Sequence, residues 1–354
     1  MDERRLPFVL GLDIGIDLGT ATILIYIKGK GVVMTEPSVV AIDQNTNKIL
    51  AVGSEAKRML GRTPGNVIAV RPLQSGVIAN YTMTEAMIRH FLKKIMSGVN
   101  RLLRHRVMIG VPSGATDVER RAVLEAALEV GAKEAYLIEE PMAAAIGAGL
   151  PVEEPRGNMV VDVGGGTSDI AVISLGGLVV AESLRLGGDA MDEAIIRYVR
   201  KKYNLEIGSQ TAELLKISIG NCRKVSGDEL KSMVVKGRDI ILGLPRQVEL
   251  TTNDVQEAIS EIVSSIIRSI RRVLELTPAE LSADIIDRGI VLTGGGALLQ
   301  GLPELIFEQT GINTYVAESP LECVALGTGK ALEELSALKE AGAVYSSIKR
   351  VSSR

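Results

Sequence analysis

Residues 11–22 read GLDIGIDLGTAT. An apolar run carries two aspartates, Asp13 and Asp17, and each stands two positions before a glycine. A strand buried in a core has no use for a carboxylate, because a charge taken out of water without a partner is strongly unfavourable. At the mouth of a cleft the same group can hold water or a cation, and burial becomes tolerable. Asp17, directly before Leu-Gly-Thr, sits where the chain must turn, which places it at such a mouth. Asp13 has no loop after it and is expected at an edge or on the surface.

The plan of this stretch recurs. IDLGTATILIYIKGKG (16–31) and VDVGGGTSDIAVISLGG (161–177) share an apolar strand, an aspartate, a glycine loop with threonine, a second apolar strand and a glycine-rich turn. Asp17 and Asp162 are 145 positions apart, about the length of one domain. Two similar halves facing one another would bring both Asp-Gly loops to one cleft. Around these loops, short Val/Ile runs alternate with helical patterns, which defines an α/β architecture. Helices are expected at Phe91 to Met96, Glu119 to Val130 and Val255 to Leu276, the last with Ile259, Ile262, Val263, Ile266, Ile270 and Val273 on one stripe.

Bulk composition narrows the function. The 354 residues are 46% apolar and 23% charged, with net charge −3, 3% aromatics and no Trp. Such a chain has no bulk attraction for nucleic acid. Cys222 and Cys323 stand alone, without zinc spacing or a disulfide framework, which fits a reducing cytosol. No window is long and apolar enough to span a membrane, and Asp13 and Asp17 interrupt what would be a signal-peptide core. A cytoplasmic protein follows, one that can touch a membrane surface.

Glycine loops let backbone N–H groups approach phosphate oxygens, since no Cβ intervenes, and a nearby carboxylate orients the waters of a bound Mg²⁺. Gly19, Thr20, Ala21 and Thr22 would form one phosphate clamp, and Gly164, Gly165, Gly166 and Thr167 the other. Each loop alone reads equally well as a tight hairpin turn; the pairing of two Asp-led loops favours the clamp. A third cluster, GIVLTGGGALLQGLP (289–303), follows a strand and is expected to open a helix whose amides at Gly294, Gly295, Gly296 and Ala297 face a nucleotide. Neither a P-loop nor a G-x-G-x-x-G fingerprint is present.

Together these phrases resemble the ATPase superfamily of actin, heat-shock chaperones and sugar kinases. Within it the chain is similar, over nearly its whole length, to the MreB family of bacterial actins. The likeness is carried by GIDLGTA, EPSVVAI, GRTPGN, RPLQSGVI, VPSGATDVERRAV, IEEPMAAAIGAGLP, GDAMDEAIIRYVRKKYNL, DRGIVLTGGGALL and ALGTGKALE in that order. It implies an actin-like, ribonuclease H-like duplicated fold: two lobes of two subdomains each around a nucleotide cleft. Subdomain IA would take 1–41, 75–154 and 324–354, IB 42–74, IIA 155–190 and 256–323, and IIB 191–255. The two small subdomains would wall the cleft and supply longitudinal filament contacts.

Residue roles follow from the resemblance. Glu140 matches the glutamate that orients the water attacking the γ-phosphate of ATP, and Thr167 assists there. Asp17 and Asp162 would hold Mg²⁺ through water. Gly187, Gly188 and Asp189 match the turn under phosphates and ribose; Glu213 and Lys216 resemble a pair reaching the adenosine, although an ordinary salt bridge would explain them as well. Glu139, adjacent to Glu140, should point elsewhere. The chain reads GTATI where many members read GTANT, so Thr22 replaces an amide.

The resemblance further implies a slow ATPase that forms paired protofilaments of itself beneath the cytoplasmic membrane and organises cell-wall (peptidoglycan) synthesis in rod-shaped cells, with membrane proteins of the elongation machinery as partners. A small-molecule kinase would need an acceptor pocket, and a chaperone ATPase a further domain; the sequence leaves no segment for either. GVNRLLRHRV (98–107) sets Leu102 and Leu103 among Arg101, Arg104 and Arg106, an arrangement suited to anionic lipid, or to packing beside the next strand. Residues 4–11, RRLPFVLG, are a second candidate anchor or simply the entry to the first strand. The tail from Ala343 is expected to be disordered.

Overall fold

The computed structural model describes residues 11–46, 48–95 and 105–345. Two β-sheets of the same design organise the chain. In the first, β1 (Asp13–Leu18), β2 (Thr22–Ile27) and β3 (Gly31–Pro37) form an antiparallel meander. β4 (Arg106–Val111) joins β1 in parallel, and β5 (Glu134–Glu139) joins β4 in parallel. In the second, β6 (Asn158–Val163), β7 (Ser168–Ser174) and β8 (Gly177–Leu184) repeat the meander, and β9 (Ile290–Thr293) and β10 (Thr314–Val316) repeat the parallel pair. The register sets Asp17 opposite Leu24 and Asp162 opposite Asp169, one residue pair short of the loop in both hairpins. The internal echo of the sequence is therefore a duplication of topology.

Smaller sheets insert into each half. Val40–Asp43 pairs with Ile49–Val52 and Val67–Val70 in one, and Leu205–Glu206, Ser232–Asp239 and Pro245–Thr251 form the other. The two main sheets share a core in which Met108, Ile138, Val160 and Ile173 pack with the helices Glu140–Gly147 and Cys323–Ala331. Those helices cross at backbone contact: a methyl group on Gly147 would overlap the Cys323 carbonyl, and one on Gly327 the Ala143 carbonyl. Among the described residues no helix is long and apolar enough to cross a membrane.

The expected helices extend upstream to their caps. The third runs Thr252–Leu276, capped by Thr251, whose side chain accepts from the Asp254 N–H. The second runs Asp117–Val130, with the same capping box between Thr116 and Glu119. The first is longer than its apolar end suggested, spanning Tyr81–Ile95.

Three expectations are corrected. Asp13 is buried in a central strand, where Arg106 holds it by two hydrogen bonds of 2.8 and 2.6 Å. Arg106 is thereby a core-edge partner and not a lipid-facing cation. The tail is ordered through Tyr345, because Val344–Tyr345 (β11) adds an antiparallel edge to β5 and buries Val344. Leu102, Leu103 and residues 4–10 lie outside the described residues, as do 346–354.

Candidate nucleotide site

The two Asp-Gly loops meet. A Cβ on Gly165 would press on the Ala21 side chain, and one on Gly166 would overlap the Thr20 hydroxyl, so only glycine permits this approach. Thr20 Oγ1 accepts from the Gly76 N–H at 3.1 Å, and Ser38 Oγ donates to the Gly19 carbonyl at 2.5 Å, which fixes the first loop from two sides. The second loop is held from below: Gly188 N–H donates to Gly164 O (3.0 Å) and Asp189 N–H to Gly165 O (2.8 Å).

Between the loops opens a cavity of about 480 Å³. Asp17, Gly19, Thr20, Ala21 and Thr22 line it from one lobe, and Asp162, Gly164, Gly165, Gly166 and Thr167 from the other. Glu140 forms its floor; Gly188, Asp189, Glu213, Lys216, Gly294, Gly295 and Gly296 complete the wall. Two expected residues stand behind that wall. Gly187 packs against the Gly164 carbonyl, and Ala297 is buried. The third glycine cluster opens a single 3₁₀ turn, Gly295–Leu298, where a helix was expected; Gly294, at φ +78°, abuts the Val163 carbonyl and Asp162.

Glu213 and Lys216 do not pair with each other. Lys216 Nζ lies 2.8 Å from Asp192 Oδ1 and donates to the Gly188 carbonyl at 2.8 Å, while Glu213 reaches Lys57 across the cleft. Asp192 is thus part of the site and was missed, as was Arg71, which pairs with Asp189 from the opposite lobe. The one signal in the sequence was Asp192 lying three residues after Asp189, on the same helical face.

The electrostatics are dominated by carboxylates in a low-dielectric cleft. Burial pushes Asp17 up to about 8, with the Asp162 charge adding to it. Burial likewise raises Asp162 to about 7, against the 2.7 Å hydrogen bond from Thr293 Oγ1. Glu140 is raised well above the ordinary carboxylate range by burial first, then by Asp169, Asp17 and Asp162. Asp169 is a further group that sequence reasoning passed over. It is fully buried, and its Oδ1 accepts from Ser113 Oγ at 3.0 Å. Four carboxyls that resist ionising together make a place where a cation is strongly favoured. Among the described residues no three His, Cys, Asp or Glu side chains are arranged to grip a metal directly, so a cation there would be met through water and phosphate.

Duplicated sheets flanking a cleft of facing Asp-Gly loops define an actin-like protein. The model of the MreB/Mbl protein family matches residues 11–340. The cell shape-determining protein MreB of Escherichia coli (strain K12) is 54% identical over 91% of this chain and 93% of its own, and the cell shape-determining protein Mbl of Bacillus subtilis (strain 168) 50% identical over 92% and 97%. The crystal structure of MreB5 of Spiroplasma citri bound to ADP superposes with TM-score 0.87 at 36% identity, covering 93% of this chain and 98% of that one. The chain belongs to the MreB/Mbl family.

Proposed function

We propose that this chain is an ATP-hydrolysing, self-assembling cytoskeletal subunit that determines rod shape by organising cell-wall synthesis at the inner face of the membrane. One observation carries it: two Asp-Gly-Thr loops from duplicated lobes close on a single cavity with one buried glutamate at its floor. Family membership and an ADP-bound structural relative support the nucleotide assignment.

In this reading the loop amides and Thr20, Thr22 and Thr167 hold the phosphates, and Asp17 and Asp162 would hold Mg²⁺ through water, a cation that would supply charge neutralisation to the triphosphate. Glu140 accepts the proton of the attacking water from its place on the cavity floor. Asp189, Glu213 and Lys216 face the nucleoside. Longitudinal contacts come from the small subdomains at 42–74 and 191–255. Leu102 and Leu103 would add roughly 3–6 kcal/mol if buried in lipid, too little to anchor one subunit, so the filament binds by avidity. Sedimentation with ATP, followed by electron microscopy on anionic vesicles, tests this. Filaments that coat the vesicles are expected, and a protein that stays dispersed at every concentration and salt overturns the reading.

A further inference from the structure

We propose that Arg120, braced by Tyr345, is a positioning residue for the hydrolysis assigned above: it pins Glu139 outside the cleft and so fixes the aim of Glu140 inside it. The inference rests on that reading of the cleft.

Glu139 ends β5 and stands at the N-cap position of the Glu140–Gly147 helix, yet its side chain makes no capping bond. Its Oε1 instead accepts from Arg120 Nη2 at 3.3 Å and from the Tyr345 hydroxyl at 3.2 Å. The Arg120 guanidinium lies 4.3 Å above the Tyr345 ring, a cation–π contact, and is only 15% exposed. Adjacent side chains diverge from a strand end, so fixing Glu139 on one side fixes Glu140 on the other.

Arg120 is linked to the far lobe through Ser113. Its Nη2 donates to the Ser113 carbonyl at 3.5 Å. Ser113 in turn donates through N and Oγ to Asp169 Oδ1, at 3.3 and 3.0 Å. Asp169 is the carboxyl that bears most on Glu140. One guanidinium therefore ties the Asp117–Val130 helix to the junction carrying Glu140 and to the C-terminal strand β11, and through Ser113 to the Asp162–Asp169 hairpin. A 1 Å displacement of a catalytic group can cost about a hundredfold in rate, and this cluster sits one peptide bond from that group.

The test uses the full chain and the variants Tyr345→Phe, Tyr345→Ala and Arg120→Lys, with three readouts: single-turnover phosphate release, equilibrium affinity for ATP and ADP, and melting temperature. Tyr345→Ala and Arg120→Lys are expected to slow release about tenfold with nucleotide affinity within about twofold of wild type. Tyr345→Phe keeps the ring under Arg120, folds as wild type and is expected to lie between. Release at the wild-type rate in both stronger variants overturns the inference. So does a loss of affinity and melting temperature together with unchanged release by the bound fraction, the pattern of a merely structural role. A wild-type chain that binds ATP and never releases phosphate overturns the hydrolysis reading and this inference with it. Wild-type turnover with undisturbed variants removes the inference alone.

Discussion

Lys57, on the short helix Ser54–Met59, places its Nζ 3.0 Å from Glu213 Oε1 on the facing wall of the cleft. Gln210, one turn away from Glu213, donates to the Lys57 carbonyl at 2.9 Å. Two insertions that are remote in sequence thus touch across the cavity mouth. Both charges are about a third exposed, so the ion pair contributes on the order of 0.2–1 kcal/mol. That corresponds to a factor of about 1.5–5 in an equilibrium. Lys57→Ala is therefore expected to speed release of a fluorescent ADP up to about fivefold, measured by stopped flow. Unchanged release in the Lys57→Ala, Gln210→Ala double variant would mean these contacts do not hold the cleft shut.

Glu140→Gln preserves shape and removes the proposed base. General-base catalysis contributes about 10²–10⁴-fold, so phosphate release is expected to fall by that range while ADP affinity persists. Burial first, and then the charges of Asp169, Asp17 and Asp162, disfavour a carboxylate at Glu140, so a neutral amide of the same shape is well tolerated there. The variant should melt at or above the wild-type temperature. Wild-type phosphate release in it would take Glu140 out of the mechanism.

The local part of this architecture was legible in the sequence, and the non-local part was not. The Asp17 and Asp162 loops announce themselves because strand, aspartate and glycine lie within a dozen residues, and the echo between them encodes the duplicated sheets. Asp13 looked like a surface residue because its partner, Arg106, lies 93 positions away and meets it only through β1–β4 pairing. Tyr345 looked like a disordered tail for the same reason, since β5 supplies its hydrogen bonds. The start of the Tyr81–Ile95 helix, YTMTEAM, is polar and threonine-rich, and its burial of Thr84 and Met87 follows from packing that periodicity does not show. Lys57 and Arg71 were invisible as cleft residues because a charge on a loop or short helix carries no sign of what stands opposite.

The cleft also predicts a pH dependence. Asp17 and Asp162 hold protons in the folded chain up to about 8 and about 7, and in the unfolded chain only to the ordinary aspartate value of 3.8. Between those limits the folded state binds more protons than the unfolded state, so their contribution is fully present below about pH 4 and is lost as pH rises through 7 to 8. In nucleotide-free protein with chelator, the melting temperature is expected to fall from pH 5 to pH 8. Asp17→Asn should flatten that slope, and magnesium with ADP should reverse it. A melting temperature that climbs across this range in the bare protein contradicts the assignment.

The crossing of the Glu140–Gly147 and Cys323–Ala331 helices makes the last prediction. In an open helix Gly→Ala is favourable by about 1 kcal/mol. At Gly327 the added methyl meets the Ala143 carbonyl, and a backbone atom cannot yield by changing rotamer. Overpacking of a tight interior costs about 1–3 kcal/mol, which outweighs the propensity gain, so Gly327→Ala should lower the melting temperature. Gly65→Ala, where a methyl meets nothing within 4 Å, is the neutral control. Because the displaced helix begins with Glu140, phosphate release in Gly327→Ala should slow even at temperatures where the chain is fully folded. Wild-type melting together with wild-type turnover in that variant would show that the helices part at no cost, and that this backbone contact is not what seats Glu140 under the two Asp-Gly loops.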